Sequence, residues 1–534
     1  MNTPETRPEQ PPLFMTAAEC GAWLATLPAG QPAQAQAQCI RQLNLLNRQA
    51  MDAKERLAIL ETLRSTVFQL QMEAARRFAH RPLPLSATER EAFEASRSLW
   101  LALFAGYLSC LDGTALEPAR PTQRALATLA DALLDTYRAG HTPTTEYWRQ
   151  AHTLYAAAEQ AGFTEHEVID PRAGKHATSV RNAYVELLLV QAASPYELPA
   201  RQLLWASRWA RRWAGKVAIV TERPGKESQI YPLCLDLGSA EPASFKRCDG
   251  IRVRWLDTSE LRASLKKRFH LLEQGAAPGA LQLGEDCQQP ACGLLLRQVY
   301  QRWCKGGAMR GQERRGVDGR CELVGGMDAV HYYLSGRKPF RQPGHASDDT
   351  LRRERDEIAT FGRIAPIHEE NFTREQGYQI DEWRVVEEWQ LKDESAAGIH
   401  VTHAASDVAV RVGHGQLVGI RLQGSQGMQI GVLRWANVGN DDQVHAGILV
   451  TPGRPEPVAI RSTDADTARE PYRQAFLLPA VVALNCLASV VLPTGWFKLG
   501  RILDIAGGSC RQIRLLQLTG HGSDFDQASY EVLS

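Results

Sequence analysis

Residues 391–399 read LKDESAAGI and set Asp393, Ser395 and Gly398 in quick succession within a segment that otherwise reads as a strand. Small polar residues and a glycine weaken a strand interior, so they mark a turn, a bulge or a close approach by something else. A carboxylate here accepts from adjacent N–H donors, a hydroxyl adds a further hydrogen bond, and a glycine leaves the backbone bare. Upstream, RWCKGGAMRGQERRGVDGR (302–320) carries six basic residues, Arg302, Lys305, Arg310, Arg314, Arg315 and Arg320, against only Glu313 and Asp318. Glycines at 306, 307, 311, 316 and 319 let that segment wrap. Arginines spaced along such a loop fork onto phosphate or onto the O6/N7 edge of guanine. Two readings stand side by side: a solvated loop followed by a hairpin turn, or a set of groups presented to a ligand.

Enzyme chemistry finds little support. There is no Gly-x-Ser-x-Gly elbow, and neither AGKHAT nor RPGKES completes a phosphate loop, because no Ser or Thr follows the lysine. His400, His403 and His414 lie among strands without a carboxylate or cysteine at ligand spacing, and read as surface residues. Eleven cysteines follow no pattern, and CQQPAC (287–292) has no second Cys/His pair at zinc-ligand spacing. The expectation is therefore no catalytic residue, no metal and no cofactor. Apparently unpaired cysteines, with no export signal in MNTPETRPEQPPLF, point to a reducing cytoplasm.

The elements that must position these residues are sought in 534 residues that are 44% hydrophobic and 23% charged, the composition of a soluble multidomain protein. A formal net charge of +1 excludes a global field that would draw the chain to nucleic acid polymers or anionic lipid. Residues 1–31, proline-rich and polar at the start, are expected to be disordered. Residues 32–215 read as a helical module, a bundle or solenoid-like array, with Leu57, Leu60, Leu63, Val67 and Leu70 on one stripe. Trp205, Trp209 and Trp213, four residues apart beside Arg208, Arg211 and Arg212, read as a buried seam with arginine stems at its margin.

Residues 216–300 alternate strand and helix patterns and read as a small mixed α/β domain. Residues 301–534 read as a C-terminal antiparallel β-barrel with a helical insertion over 327–382 and a β extension from about Ala475. AFLLPAVVALNCLASVV (475–491) approaches the length of a membrane span, but Pro479, Asn485 and Ser489 within it favour buried strands.

An Arg-x-x-x-Arg loop, then a strand, then a strand ending in Asp-x-Ser-x-x-Gly resembles the PilZ domain, a small six-stranded barrel that binds cyclic di-GMP. The matching residues are Arg310 and Arg314 in RGQER, with Arg315 beside them, and Asp393, Ser395 and Gly398 in DESAAG. The resemblance covers about 301–451 and omits the insertion. It implies that the arginines clamp phosphates and guanines, and that Asp393 accepts the N1–H and N2–H donors of guanine. The same spacing occurs in RPTQR (120–124), RWARR (208–212) and RKPFR (337–341), but only RGQER is followed directly by a strand-like run. Asp393 follows Arg314 by 79 residues, a wide separation for so small a barrel. The implied function is a cytoplasmic, non-enzymatic effector that senses cyclic di-GMP and relays it to a protein partner through the helical module. The alternative is a degenerate PilZ-like scaffold that binds no nucleotide and serves protein–protein interaction.

Overall fold

The computed structural model describes residues 11–112, 117–174, 177–225, 231–306, 314–343, 359, 385–425, 427–463, 471–484 and 486–533 of the 534. The chain divides into two compact units, Met1–Arg81 with Leu85–Gly311, and Pro82–Pro84 with Gln312–Ser534.

The first unit opens with α1 (Ala17–Leu24), inside the stretch expected to be disordered. The local reason is a capping box: the Thr16 hydroxyl accepts from the Glu19 backbone N–H, and the Glu19 carboxylate accepts from the Thr16 N–H. Phe14 and Cys20 are buried in the core, so apolar anchoring outweighs the polar composition around them. The helices α2 (Pro32–Asn47), α3 (Ala53–Phe78), α4 (Ala87–Leu108), α5 (Ala119–Arg138) and α6 (Thr145–Gln160) follow. Asp52 caps α3 by accepting from the Lys54 and Glu55 N–H groups, and of the expected stripe Leu57, Leu60, Leu63 and Val67 are buried while Leu70 is half-buried against the same core. A small ribbon of β1 (Val168–Ile169) and β2 (Ala177–Thr178) precedes α7 (Val180–Ala192) and α8 (Ala200–Trp213).

The mixed segment supplies a three-stranded sheet, β3 (Ala218–Val220), β4 (Cys234–Asp236) and β5 (Val253–Asp257), with β5 central. Two helices, α9 (Ser259–Glu273) and α10 (Ala291–Cys304), complete it, and all of these elements share one continuous apolar core with the helices before them. The tryptophan stripe of α8 is that seam. Trp209 donates to the Leu283 carbonyl at 2.8 Å, Trp205 to Asp286 at 2.8 Å, and Trp213 meets the Trp303 ring of α10. Cys287 and Cys292, read from sequence as unpaired, form a disulfide: the turn leading into α10 brings their Cα atoms to 5.5 Å.

The second unit contains two closed six-stranded barrels rather than one barrel with an extension. The first is built from β6 (Arg315–Gly325), β7 (Glu387–Ser395), β8 (Gly398–Ala404), β9 (Leu417–Leu422), β10 (Gln429–Val438) and β11 (Gln443–Val450), in the closed order β10-β11-β8-β7-β6-β9. Between β6 and β7 lies α11 (Met327–Leu334), the described part of the expected insertion; its remainder, apart from 335–343 and 359, lies outside the described residues. The alternation on β7 shows how sequence selects the faces: Glu387, Trp389 and Leu391 point in, and Glu388, Gln390 and Lys392 point out.

The second barrel comprises β12 (Glu456–Ser462), β13 (Arg473–Leu478), β14 (Ser489–Pro493), β15 (Ile502–Ala506), β16 (Gln512–His521) and β17 (Phe525–Leu533), in the order β12-β13-β14-β17-β16-β15. The long apolar run therefore becomes two buried strands joined by an exposed loop that carries Val482 and Leu487. No helix among the described residues is long and apolar enough to cross a membrane. The sequence did not reveal the second closure because β12 and β15 meet only through long-range pairing, Ile460 with Ile505. Val330 of α11, Leu417, Phe476 and Phe525 pack in one apolar cluster between the barrels.

Candidate functional site

Antiparallel pairing of β6 with β7 sets Gly316 opposite Asp393 and Arg315 opposite Glu394. The wide sequence separation is closed by this register. Arg314 Nη1 donates to Asp393 Oδ1 at 2.5 Å, with the two side chains 30% and 27% exposed. Each strand is bulged beside the pair, between Gly316 and Gly319 on β6 and between Leu391 and Asp393 where β7 meets β8. Bulges re-aim side chains and commonly flank binding sites. Arg315 opens β6 as an exposed residue, and Arg310 lies outside the described residues.

The DESAAG segment is itself a tight hairpin. β7 ends at Ser395, β8 begins at Gly398, and Ala396–Ala397 form the two-residue turn. Ser395 Oγ donates to the Gly398 carbonyl at 3.2 Å and so closes the turn. A Cβ on Gly398 would stand 2.8 Å from the Ile448 carbonyl oxygen of β11, so the neighbouring strand already requires a glycine there. Hairpin turn and ligand presentation, weighed as alternatives from sequence, are compatible: the hairpin is what holds Asp393 beside Arg314.

Beyond Asp393 the register lays out a row that the sequence reading missed. Asp393 faces His400, His400 faces Gly447, and Gly447 faces Trp435. His400 Nδ1 lies 3.2 Å from Asp393 Oδ2, His400 Nε2 lies 3.3 Å from His445 Nδ1, and His445 Nε2 lies 3.1 Å from Asp441 Oδ1. Trp435 lies across β11, where a Cβ on Gly447 would fall 2.0 Å from its Nε1, and its ring is 5.3 Å from that of His400. The signal available in the sequence was a glycine, Gly447, inside a strand-like run; its partner Trp435 appears only with the register. His400, read as a surface residue, is part-buried and takes part in this chain.

Burial pushes the His400 imidazole below its ordinary value; Asp393 opposes that shift, while His445 and Arg314 add to it. Burial would raise Asp441, but the bonds from His445 and from the Gln443 backbone outweigh it and hold the carboxyl low. The arrangement presents a guanidinium and a carboxylate at one end, two imidazoles in the middle and an indole face at the other. Such a strip can bind an anionic, ring-bearing ligand. Among the described residues no cluster of His, Cys, Asp and Glu is arranged to hold a metal ion.

Three family models match the chain in order. Residues 18–224 match the N-terminal domain of the cyclic-di-GMP receptor FimW, 243–385 its middle PilZ domain, and 458–533 the FimW C-terminal β-barrel domain. The cyclic-di-GMP receptor FimW of Pseudomonas aeruginosa is 23% identical over 564 aligned residues, covering 95% of this chain and 90% of that protein. The PilZ domain is thus the middle of three domains, not the C-terminal one expected from sequence, because β12–β17 form a barrel with its own family model. The match to the PilZ model ends at 385, short of Asp393 and the β7–β8 hairpin. With helical, PilZ and C-terminal barrel matches in sequence, the chain belongs to the family of PilZ-domain cyclic-di-GMP receptors, which are binding proteins rather than enzymes.

Proposed function

We propose that this protein binds cyclic di-GMP on the outer face of the first barrel, at the β6–β7–β8 corner, and passes the signal to a protein partner in the cytoplasm through its helical module. The observation that carries this reading is the meeting of Arg314 with Asp393 at the end of two bulged strands. Cyclic di-GMP has phosphates and guanine edges for Arg314 and Arg315, and Arg310 completes the clamp. Its guanine N1–H and N2–H donors suit the Asp393 carboxylate. Ser395 and Gly398 hold the hairpin that aims Asp393, and Trp435 offers an aromatic face at the far end of the row.

Binding requires Arg314 and Asp393 to exchange each other for ligand. The exchange is inexpensive, since a part-exposed ion pair contributes about 1 kcal/mol while hydrogen bonds to charged groups contribute about 1.5–3 kcal/mol each. The same ion pair favours a second reading, in which the two groups satisfy each other permanently and the barrel is a scaffold without nucleotide. Calorimetric titration of the full chain with cyclic di-GMP and with cyclic di-AMP separates the two. A receptor binds the guanine dinucleotide with micromolar or tighter affinity, and the adenine one far more weakly, with no linear product formed. Equal affinities, or none better than millimolar, would leave the scaffold.

A further inference from the structure

Within the second unit an open cleft of about 720 Å³ lies between the two barrels. It is bounded by the end of α11, the β9–β10 hairpin and the connection from β11 to β12. Three arginines line it, Arg337, Arg421 and Arg454, against one carboxylate, Glu456, and Tyr333 and Met428 add ring and thioether surface. Each arginine arrives from a different element, so the concentration of charge is a product of the fold and not of a local basic run.

The three arginines are held to different degrees, from a ring contact through an ion pair to an open guanidinium. α11 ends with the Gly336 N–H on the Tyr333 carbonyl and the Arg337 N–H on the Tyr332 carbonyl, with Gly336 at φ 74°. Arg337 continues in the left-handed region at φ 64°, a conformation that side-chain-bearing residues avoid and that clusters at ligand sites. Its guanidinium carbon is 5.9 Å from the Tyr333 ring centroid. Arg421 projects from β9 beside Glu322 of β6, with which it is paired. Arg454 is exposed on the inter-barrel connection, and no described side chain pairs with it.

We propose that this cleft is a second binding site, separate from the Arg314–Asp393 corner, for a phosphate-bearing ligand of nucleotide size. Guanidinium forks match phosphate oxygens, the volume falls in the range of small-ligand pockets, and Tyr333 with Met428 can flank a planar base. The two sites are distinct because Glu322, the partner of Arg421, is eight residues along β6 from Arg314, about 25 Å at the rise of a strand. A ligand here would touch both barrels at once. Two sources share this chemistry, a second molecule of cyclic di-GMP and a mononucleotide such as GTP.

The test is calorimetry on the full chain with cyclic di-GMP, GTP and inorganic pyrophosphate as separate probes. The proteins are wild type, Arg314→Ala, the double variant Arg337→Ala/Arg454→Ala, and all three substitutions together. A binding event should persist in Arg314→Ala and weaken at least tenfold when Arg337→Ala/Arg454→Ala is added. A second equivalent of cyclic di-GMP identifies the dinucleotide as the occupant; binding of GTP with a single equivalent of cyclic di-GMP identifies a mononucleotide. Arg337→Lys/Arg454→Lys, which keeps charge but loses the forks, should retain part of the affinity and confirm that the fold is intact. The proposal is overturned if no probe binds Arg314→Ala, or if what binds it is indifferent to the double substitution. Failure of cyclic di-GMP at the Arg314 corner alone would leave this cleft standing.

Discussion

Arg314 and Asp393 stand 79 residues apart in the chain and 2.5 Å apart in the fold. The segment between them contributes α11 and then returns as β7, so the two residues meet at adjacent strand ends. The contact lets the two charges cap each other, and in the proposed function a ligand takes over both. The remaining polar groups of the row, His400 and His445, keep Asp393 oriented from the opposite side.

Gly398 should be intolerant for a reason unrelated to ligand. An added methyl meets the Ile448 carbonyl at 2.8 Å, against backbone that cannot swing aside. Gly398→Ala is expected to destabilise the first barrel by about 1–3 kcal/mol. Denaturant melts of the ligand-free protein check this, and an unchanged midpoint would show that the hairpin shifts freely.

Gly447→Ala probes the far end of the row. Its Cβ would occupy the place of the Trp435 indole, which must then leave its position across β11. The expected result is a shift in tryptophan emission and a several-fold weaker affinity for cyclic di-GMP. If emission shifts while affinity holds, the indole lies outside the ligand's footprint.

Acid should weaken the first barrel through His400. Its folded-state value is depressed by burial, so the fold favours the neutral imidazole. That preference is complete above the ordinary histidine value and is lost as the pH falls from there toward the folded value. The melting temperature should therefore drop as pH falls through the histidine range, and His400→Gln should flatten that part of the profile. An unchanged slope in the variant would assign the effect to other groups.

In the helical unit, Asp170 accepts two bonds from Arg64, at 2.9 and 3.0 Å, with all of these groups buried. Burial alone would raise its carboxyl, but Arg64, Arg172 and Arg124 hold it well below the usual range. Its contribution is present above the ordinary carboxylate value and is lost as the pH falls below it. Asp170→Asn leaves buried guanidinium charge unmatched and should cost about 3–5 kcal/mol at neutral pH. Thermal melts at neutral pH measure this, and a loss under about 1 kcal/mol would mean that Glu61, which pairs with Arg124, absorbs the charge.

What could be read from sequence was local. The leucine stripe of α3, the tryptophan seam of α8 and the alternation of β7 follow from residue spacing alone, and each is buried as that spacing requires. DESAAG stood out because small polar residues interrupt an apolar rhythm. What stayed hidden was non-local. Whether β12 joins β13 and β15 in a separate closure depends on pairing partners tens of residues away. The His400–His445 and Gly447–Trp435 relations exist only once β8, β11 and β10 are in register. The α1 helix was hidden for a different reason, because a capping box and one buried phenylalanine outweigh an average composition.

The central claim is that Arg314 and Asp393 are exchanged for cyclic di-GMP. Its most direct measurement is calorimetric titration of wild type, Arg314→Ala and Asp393→Ala with that dinucleotide, each with a melt of the free protein. The predicted result is micromolar or tighter binding by wild type and a loss of more than tenfold, about 1.4 kcal/mol, in either variant. The melting temperature of free Arg314→Ala should remain nearly unchanged, since a part-exposed pair contributes little to folding. Wild-type affinity in both variants, or no binding by wild type, would contradict it.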